Sequence, residues 1–156
     1  MIPRWALMWG LAAGIFCACK ALAALQHRRL RAPAGRWLGF LLLWPGMDAR
    51  AFLLEGASPP SAKTWAVAVS KTAFGAALFW GVAREAEPPL LRGWIGLVGL
   101  IFLLHFGVFH LLALGWRSKG VNAVPIMNAP ALARSLGEFW GRRWNLAFRD
   151  LSHIFL

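Results

Sequence analysis

The residues of this chain best suited to chemistry are gathered near its end. The stretch Ser135-Leu-Gly-Glu-Phe-Trp-Gly-Arg-Arg-Trp-Asn145 sets Arg142 and Arg143 between Trp140 and Trp144, with Asn145 directly after them. Arginine beside tryptophan suits stacking and bidentate capture of an anion such as a phosphate or pyrophosphate. The asparagine supplies an uncharged amide that both donates and accepts. Two further candidates, His105 and His110, lie in the most hydrophobic run of the chain. Five positions apart at ~100° per residue, they fall on different faces of a helix and do not form a metal pair. A histidine inside an apolar run is a functional candidate by default, but a hydrogen-bonded packing role is the simpler reading of each. There is no glycine-rich phosphate loop, nucleophile elbow or carboxylate pair, and Asp48 and Glu55 are lone loop acids. Cys17 and Cys19 face different sides of one helix and have no partner at zinc-site spacing, so they read as small residues of an apolar helix.

The element that must position Asn145 reads as a single helix over Ser135–Phe155. Ser135 and Glu138 stand at capping-box spacing, where each can bond the backbone amide of the other. At ~100° per residue, Trp140, Trp144, Phe148, Leu151 and Phe155 form one apolar stripe, and Glu138, Arg142, Asn145, Arg149 and His153 face the other way. A helix of this kind can lie in a membrane interface, with aromatics in the lipid boundary and arginines towards headgroups. Its polar face is narrow and mixed, with an asparagine between arginines and no lysine. Three aromatic residues crowd the turns around Arg142 and Arg143.

Upstream, the composition is that of a membrane protein. The chain of 156 residues is 59% hydrophobic and 15% charged, with ten Trp, eleven Phe and no Tyr; a soluble domain carries nearer ~25% charged residues. Its formal net charge is +11. The basic residues sit between apolar runs, as in loops that follow the positive-inside rule, which argues against nucleic acid as the partner. Trp5–Leu25 is long enough to cross a bilayer core of ~30 Å, with a cleavable signal peptide as the rival reading. Lys20 near its end is placed to snorkel towards the basic loop that follows. That loop carries Arg28, Arg29, Arg31 and Arg36. Trp37–Met47 is uncharged but short, reaching about half-way across at ~1.5 Å per residue. With Pro45-Gly46 ending it, a re-entrant or interfacial helix is expected. Lys63–Ala83 and Leu91–Trp116 are the second and third spans. Ala73, Ala77 and Gly81 offer one small-residue stripe for close helix contact, and Gly93, Gly96 and Gly99 another. Lys71, deep in the second span, is expected to face protein or water. Three spans put the first basic loop and the basic region 117–150 on the same, cytoplasmic side. The expected fold is therefore all-α: a single polytopic membrane domain over 1–156, with about three full spans, one short re-entrant or interfacial helix and a C-terminal amphipathic helix.

The run Phe139-Trp-Gly-Arg-Arg-Trp-Asn145, with the approach Gly115-Trp-Arg-Ser-Lys-Gly-Val121 and Pro125-Ile-Met-Asn-Ala-Pro130, resembles the signature of the wax synthase-like branch of the membrane-bound O-acyltransferases. The specific part covers roughly a quarter of the chain, within 115–156. The resemblance implies a multi-pass enzyme of the inner membrane or endoplasmic reticulum. It would move an acyl group from acyl-CoA, as co-substrate, to a long-chain alcohol, with no further cofactor and no metal. In that family an asparagine or histidine at the end of the motif lies in the reaction chamber, and Asn145 matches it. Arg142 and Arg143 would support the helix or the donor phosphates, and Trp140 and Trp144 would pack it. The family's basic histidine lies on a later helix beyond Leu156. His153 does not correspond to it, so this chain is expected to be an amino-terminal portion, inactive alone. The contrasting expectation is a non-catalytic membrane protein whose basic terminal helix docks a partner or anionic lipid.

Overall fold

A computed structural model describes residues 3–155, with side chains as far as His153. The side chain of Phe155, assigned above to the apolar stripe, lies outside the described residues. Three helices are long and apolar enough to cross a bilayer: α1 (Arg4–Gln26), α4 (Ala62–Glu85) and α5 (Pro89–Ser118). Between the first two lie the short helices α2 (Ala34–Leu43) and α3 (Ala49–Leu54). After α5 come a 3₁₀ turn (Pro130–Leu132), a short helix α6 (136–143) and α7 (Leu146–Phe155). Among the described residues there is no strand, only an antiparallel bridge between Gly56 and Val121. The three expected spans are present within two residues at each end.

Local chemistry explains where the elements begin. Ser61 accepts from the Thr64 amide at 3.3 Å to start α4, and Pro89 takes the first position of α5, where its missing N–H costs nothing. Asp48 accepts from the Ala51 amide at 2.9 Å, so this loop acid is the cap of α3. Glu55 takes the Asn122 side-chain amide at 2.7 Å and helps tie the 55–57 segment to 120–122.

The main core lies at one end of the spans. Phe52 is fully buried there, with Phe40, Trp44 and Trp116 packed against its ring at 5.8, 6.0 and 5.0 Å between centroids. Trp116 also donates through Nε1 to the Leu43 carbonyl at 3.3 Å, satisfying an open group at the end of α2. Ala23 of α1, Leu30 of the first basic loop, and Ala113 and Val121 share this cluster. The first basic loop and the start of the 117–150 region therefore meet at the same end, as the half-length α2 requires.

Lys20 departs from expectation. It does not snorkel: it is 3% exposed, its Nζ donates to the Gly46 carbonyl, and it lies 3.6 Å from the Phe40 ring centroid. An ammonium among apolar helices finds its partners in the turn after α2, whose carbonyl has no helical donor. Lys71 behaves as expected, facing the Phe106 ring of α5 at 5.7 Å.

The expected stripe Ala73, Ala77 and Gly81 is not the contact face of α4; all three are exposed. The close contact runs through Ala68, Thr72 and Gly75. A Cβ on Gly75 would lie 2.8 Å from Leu103 Cα, and one on Gly107 of α5 would lie 2.9 Å from Thr72 Cα. Of the α5 glycines, Gly99 packs tightly (2.8 Å to the Phe79 amide nitrogen), Gly96 makes ordinary contact and Gly93 none. Both helices contain a wide π turn, Ala77–Val82 in α4 and Phe102–Val108 in α5. Each fits an extra residue into the turn and lowers the rotation per residue, so a uniform 3.6-residue projection misplaces faces across it. Gly75→Ala should lower thermal stability in detergent by about 1–3 kcal/mol through overpacking, whereas Gly81→Ala, with open space around it, should be neutral or better. Equal melting temperatures for the two variants would contradict this helix contact.

Candidate functional site in an apolar cavity

The terminal stretch is not one helix. After a single α turn, Leu136–Glu138, the chain widens into a π turn over Phe139–Arg143 that closes with the Trp144 amide on the Phe139 carbonyl at 2.8 Å. Trp144 is then extended, and Asn145 is left-handed at φ 44°. Asparagine tolerates that region better than any residue but glycine. Its backbone carbonyl and Oδ1 both accept from the Phe148 amide, at 2.9 and 3.3 Å, and so start α7. The break is held from outside: Leu146 N–H donates to Ile126, and Asn128 N–H to Arg143, each at 2.8 Å. The Asn145 amide meets the Met127 sulfur at 3.3 Å.

This corrects the two-faced helix read from periodicity. Trp140 and Trp144 do not continue the stripe of Phe148 and Leu151, and Arg142 and Asn145 do not share a face. Only α7 is a regular amphipathic helix, with Ala147 and Leu151 against Met47, Ile126 and Phe109. The capping box is half formed. Ser135 accepts from the Glu138 amide at 3.1 Å, but Glu138 reaches the amide of Arg134 rather than that of Ser135, at 2.8 Å. The signal available in the sequence was Asn145 itself, a strong helix-capping residue type standing before an amphipathic run.

The break forms one wall of an apolar cavity of about 440 Å³, within the range of small-molecule sites. Ala12, Ile15, Phe16 and Cys19 of α1 face it, with Pro45 and Met47 from the turn after α2 and His105 and Phe109 from α5. Asn145, Ala147, Phe148 and Leu151 close the remaining side. From Ser118 back to His105 is roughly 20 Å at ~1.5 Å per residue, so the cavity lies well inside the helices and not at their ends.

The structure brings Asn145 together with His105 and Trp144, and separates them from the arginines. The His105 ring stacks on Trp144 (6.3 Å, 19°) and meets Phe109 edge-on at 5.5 Å. Its Nδ1 is buried without a hydrogen-bond partner. Trp144 also stacks on Phe139, while Trp140 is 59% exposed and touches both rings edge-on. Arg143 is committed to structure: Nε pairs with Glu138 at 2.7 Å and Nη1 donates to the Asn128 and Ala129 carbonyls at 3.4 and 3.3 Å. Arg142 is exposed in a separate polar recess with Ser135, Gly137 and Glu138, and its guanidinium has no partner among the described residues. His110 lies instead near Lys71 and Arg117.

These features are those of a helical protein with helices suited to cross a membrane, two of which, α1 and α5, border an open apolar cavity that also carries a histidine and an asparagine. Over 32 residues, 20% of this chain, it is 53% identical to a long-chain-alcohol O-fatty-acyltransferase of Simmondsia chinensis. The match spans 9% of that enzyme's length. No family model and no solved structure matches the chain. The likeness is short, and it hints at an acyltransferase relationship without settling the reaction.

The Glu138 carboxyl is held below its ordinary value of 4.5, first by the Arg134 amide and then by the Arg143 guanidinium. A lowered carboxyl pKa stabilises the folded segment at pH above the ordinary value, and that contribution is lost as pH falls through the lowered one. Carbon-13 titration of Glu138 should give a midpoint under 4.5 that Arg143→Ala moves upward. A midpoint unaffected by Arg143→Ala would remove this pair from the support of the break.

Proposed function

We propose that this sequence forms part of an acyl-transfer site of the wax-ester type, with the cavity beside Asn145 as the chamber. The observation that carries the reading is the position of Asn145, held in a left-handed turn at the wall of an otherwise apolar cavity. The similarity to an alcohol O-fatty-acyltransferase and the resemblance of 139–145 to the wax synthase-like signature supply the chemistry. In the proposed reaction the alcohol oxygen attacks the thioester carbonyl carbon of acyl-CoA. A C–O bond forms, the C–S bond breaks, and coenzyme A leaves as the thiol, taking up the proton that the alcohol gives up. Asn145 Oδ1 is engaged by α7, while Nδ2 has no partner among the described residues. That N–H can donate to the thioester carbonyl as negative charge develops on it, without bringing a charge into an apolar site. Arg142, unlike Arg143, remains available for the donor phosphates from its exposed recess. Trp144 fixes the turn by stacking, and Trp140 covers that stack from outside.

The docking alternative requires a continuous basic helix. The turn at Trp144–Asn145 divides it, and Arg143 and Arg149 are paired with Glu138 and Asp150.

Alanine at position 145 would disturb both the left-handed turn and the cap. Asn145→Asp keeps the cap oxygen, and Asn145→Gly keeps the backbone freedom. In membranes expressing the complete reading frame that carries this sequence, hexadecanoyl-CoA and hexadecanol should yield wax ester. Both variants should lower its rate by about 10²-fold or more, the effect of losing one such donor. Absence of ester from the wild type, or unchanged rates in well-expressed variants, would overturn the reading.

A further inference from the structure

We propose that Lys71, His110 and Arg117 form a binding site for the phosphate group of an anionic membrane phospholipid. None of the three lines the cavity beside Asn145, so this site is separate from the proposed acyl transfer. Helix geometry gathers them where α4 and α5 pack together. His110 and Arg117 stand seven residues apart in the regular α-helical stretch Phe109–Ser118, which puts them on one face about two turns apart. Thr72, the neighbour of Lys71, packs against Gly107 of α5. The Lys71 ammonium lies 5.7 Å from the ring centroid of Phe106, one turn inward of His110. His110 in turn is close to both Lys71 and Arg117.

The chain offers this cluster no counter-charge. Of its six acids, Asp48 caps α3, Glu55 holds the Asn122 amide, and Glu138 and Asp150 pair with Arg143 and Arg149. Glu85 and Glu87 stand at and just past the far end of α4, roughly 20 Å along the helix from Lys71. Cations within a span ordinarily pair with an opposite charge or a carbonyl, and Lys71 and Arg117 do neither among the described residues. All three side chains are half-buried. Arg117 Nε is sealed by protein, but the Arg117 Nη atoms, Lys71 Nζ and the His110 ring nitrogens stay accessible and carry no hydrogen bond. Their position selects the ligand. Arg117 closes α5 at the end where the two basic regions meet, and His110 and Lys71 lie progressively deeper. A guanidinium takes two phosphate oxygens at once, and an imidazole N–H and an ammonium can donate to the others. Basic pockets between spanning helices hold lipid headgroups in this way. Soluble phosphate has the same oxygens but no tails. Val67 and Phe74, on the Lys71 face of α4, are exposed and give acyl chains an apolar surface beside the cluster.

The test uses the complete protein that carries this sequence, purified in an uncharged detergent, with bound lipid read by native mass spectrometry. Dioleoylphosphatidylglycerol should bind about tenfold more tightly than dioleoylphosphatidylcholine, the scale of one charge-assisted contact. Lys71→Gln and Arg117→Gln should each remove most of that preference. His110→Phe should weaken it, and His110→Gln should restore part of it. Arg29→Gln, which removes an exposed charge of the first basic loop, should leave it intact. Either glutamine variant of Lys71 or Arg117 is sufficient if it keeps wild-type helicity and elution. In the wild type, a photoreactive phosphatidylglycerol should label peptides of α4 and α5 around Lys71 and Arg117. Equal binding of the two lipids would overturn the proposal, as would labelling confined to other segments. So would a folded Lys71→Gln or Arg117→Gln protein with the full preference. A loss in Arg29→Gln as large as in Arg117→Gln would also overturn it, because general attraction to a basic surface would then suffice. Inorganic pyrophosphate in large excess should not displace the lipid; displacement would assign the cluster to a soluble phosphate instead.

Discussion

Polypeptide that leaves the helix well inside a set of long apolar helices must find partners for its backbone groups, because neither lipid nor neighbouring side chains replace water. The turn at Trp144–Asn145 meets this constraint by pairing with 126–128. That requirement explains the irregular path between α5 and α6, where Ala129 is also left-handed before Pro130. A strand-like stretch is needed to offer an N–H and a carbonyl to the break, and a helix there would have used its own. The cavity follows from the same arrangement. One continuous helix over 135–155 could not turn Asn145 into the space beside His105.

Charges obey a parallel rule. Lys20 is anchored by the Gly46 carbonyl and the Phe40 ring, Arg143 by Glu138 and two carbonyls, and Arg149 by Asp150. The first two fasten an irregular segment to a regular one or hold a turn, while the third joins neighbours within α7. The basic excess that suggested a docking face is thus spent partly on internal architecture, leaving Arg142 exposed in its recess. Arg117 Nε is also buried without a partner, and nothing in the structure explains it.

The proposed chamber draws on segments far apart in sequence: α1 near Phe16, the turn after α2, the π turn of α5, and the start of α7. Wide turns let a long apolar helix aim a polar side chain sideways without ending, and His105 sits in one. Its stacking on Trp144 links the wall supplied by α5 to the one supplied by the 135–145 segment, so the two candidate polar groups are positioned by a shared aromatic contact.

Sequence by itself determined the spans and their number, because runs of apolar residues report the solvent they must face over a length set by the bilayer. It also determined that Trp37–Met47 is too short to cross, that two basic regions share one end, and that Asn145 stands at a chemically distinctive place. Tertiary structure decided which side of each helix is covered. The Gly75 and Thr72 face was not legible, since several small-residue stripes are equivalent until the neighbour's shape chooses one. It also decided the fate of Lys20, which depends on a carbonyl 26 residues away. Above all it decided that the terminal pattern breaks: a regular projection assumes constant rotation per residue, and a π turn followed by a left-handed asparagine cancels that assumption. Only bonds to 126–128 make such a break stable, and only the break brings Asn145 to the cavity that His105 faces.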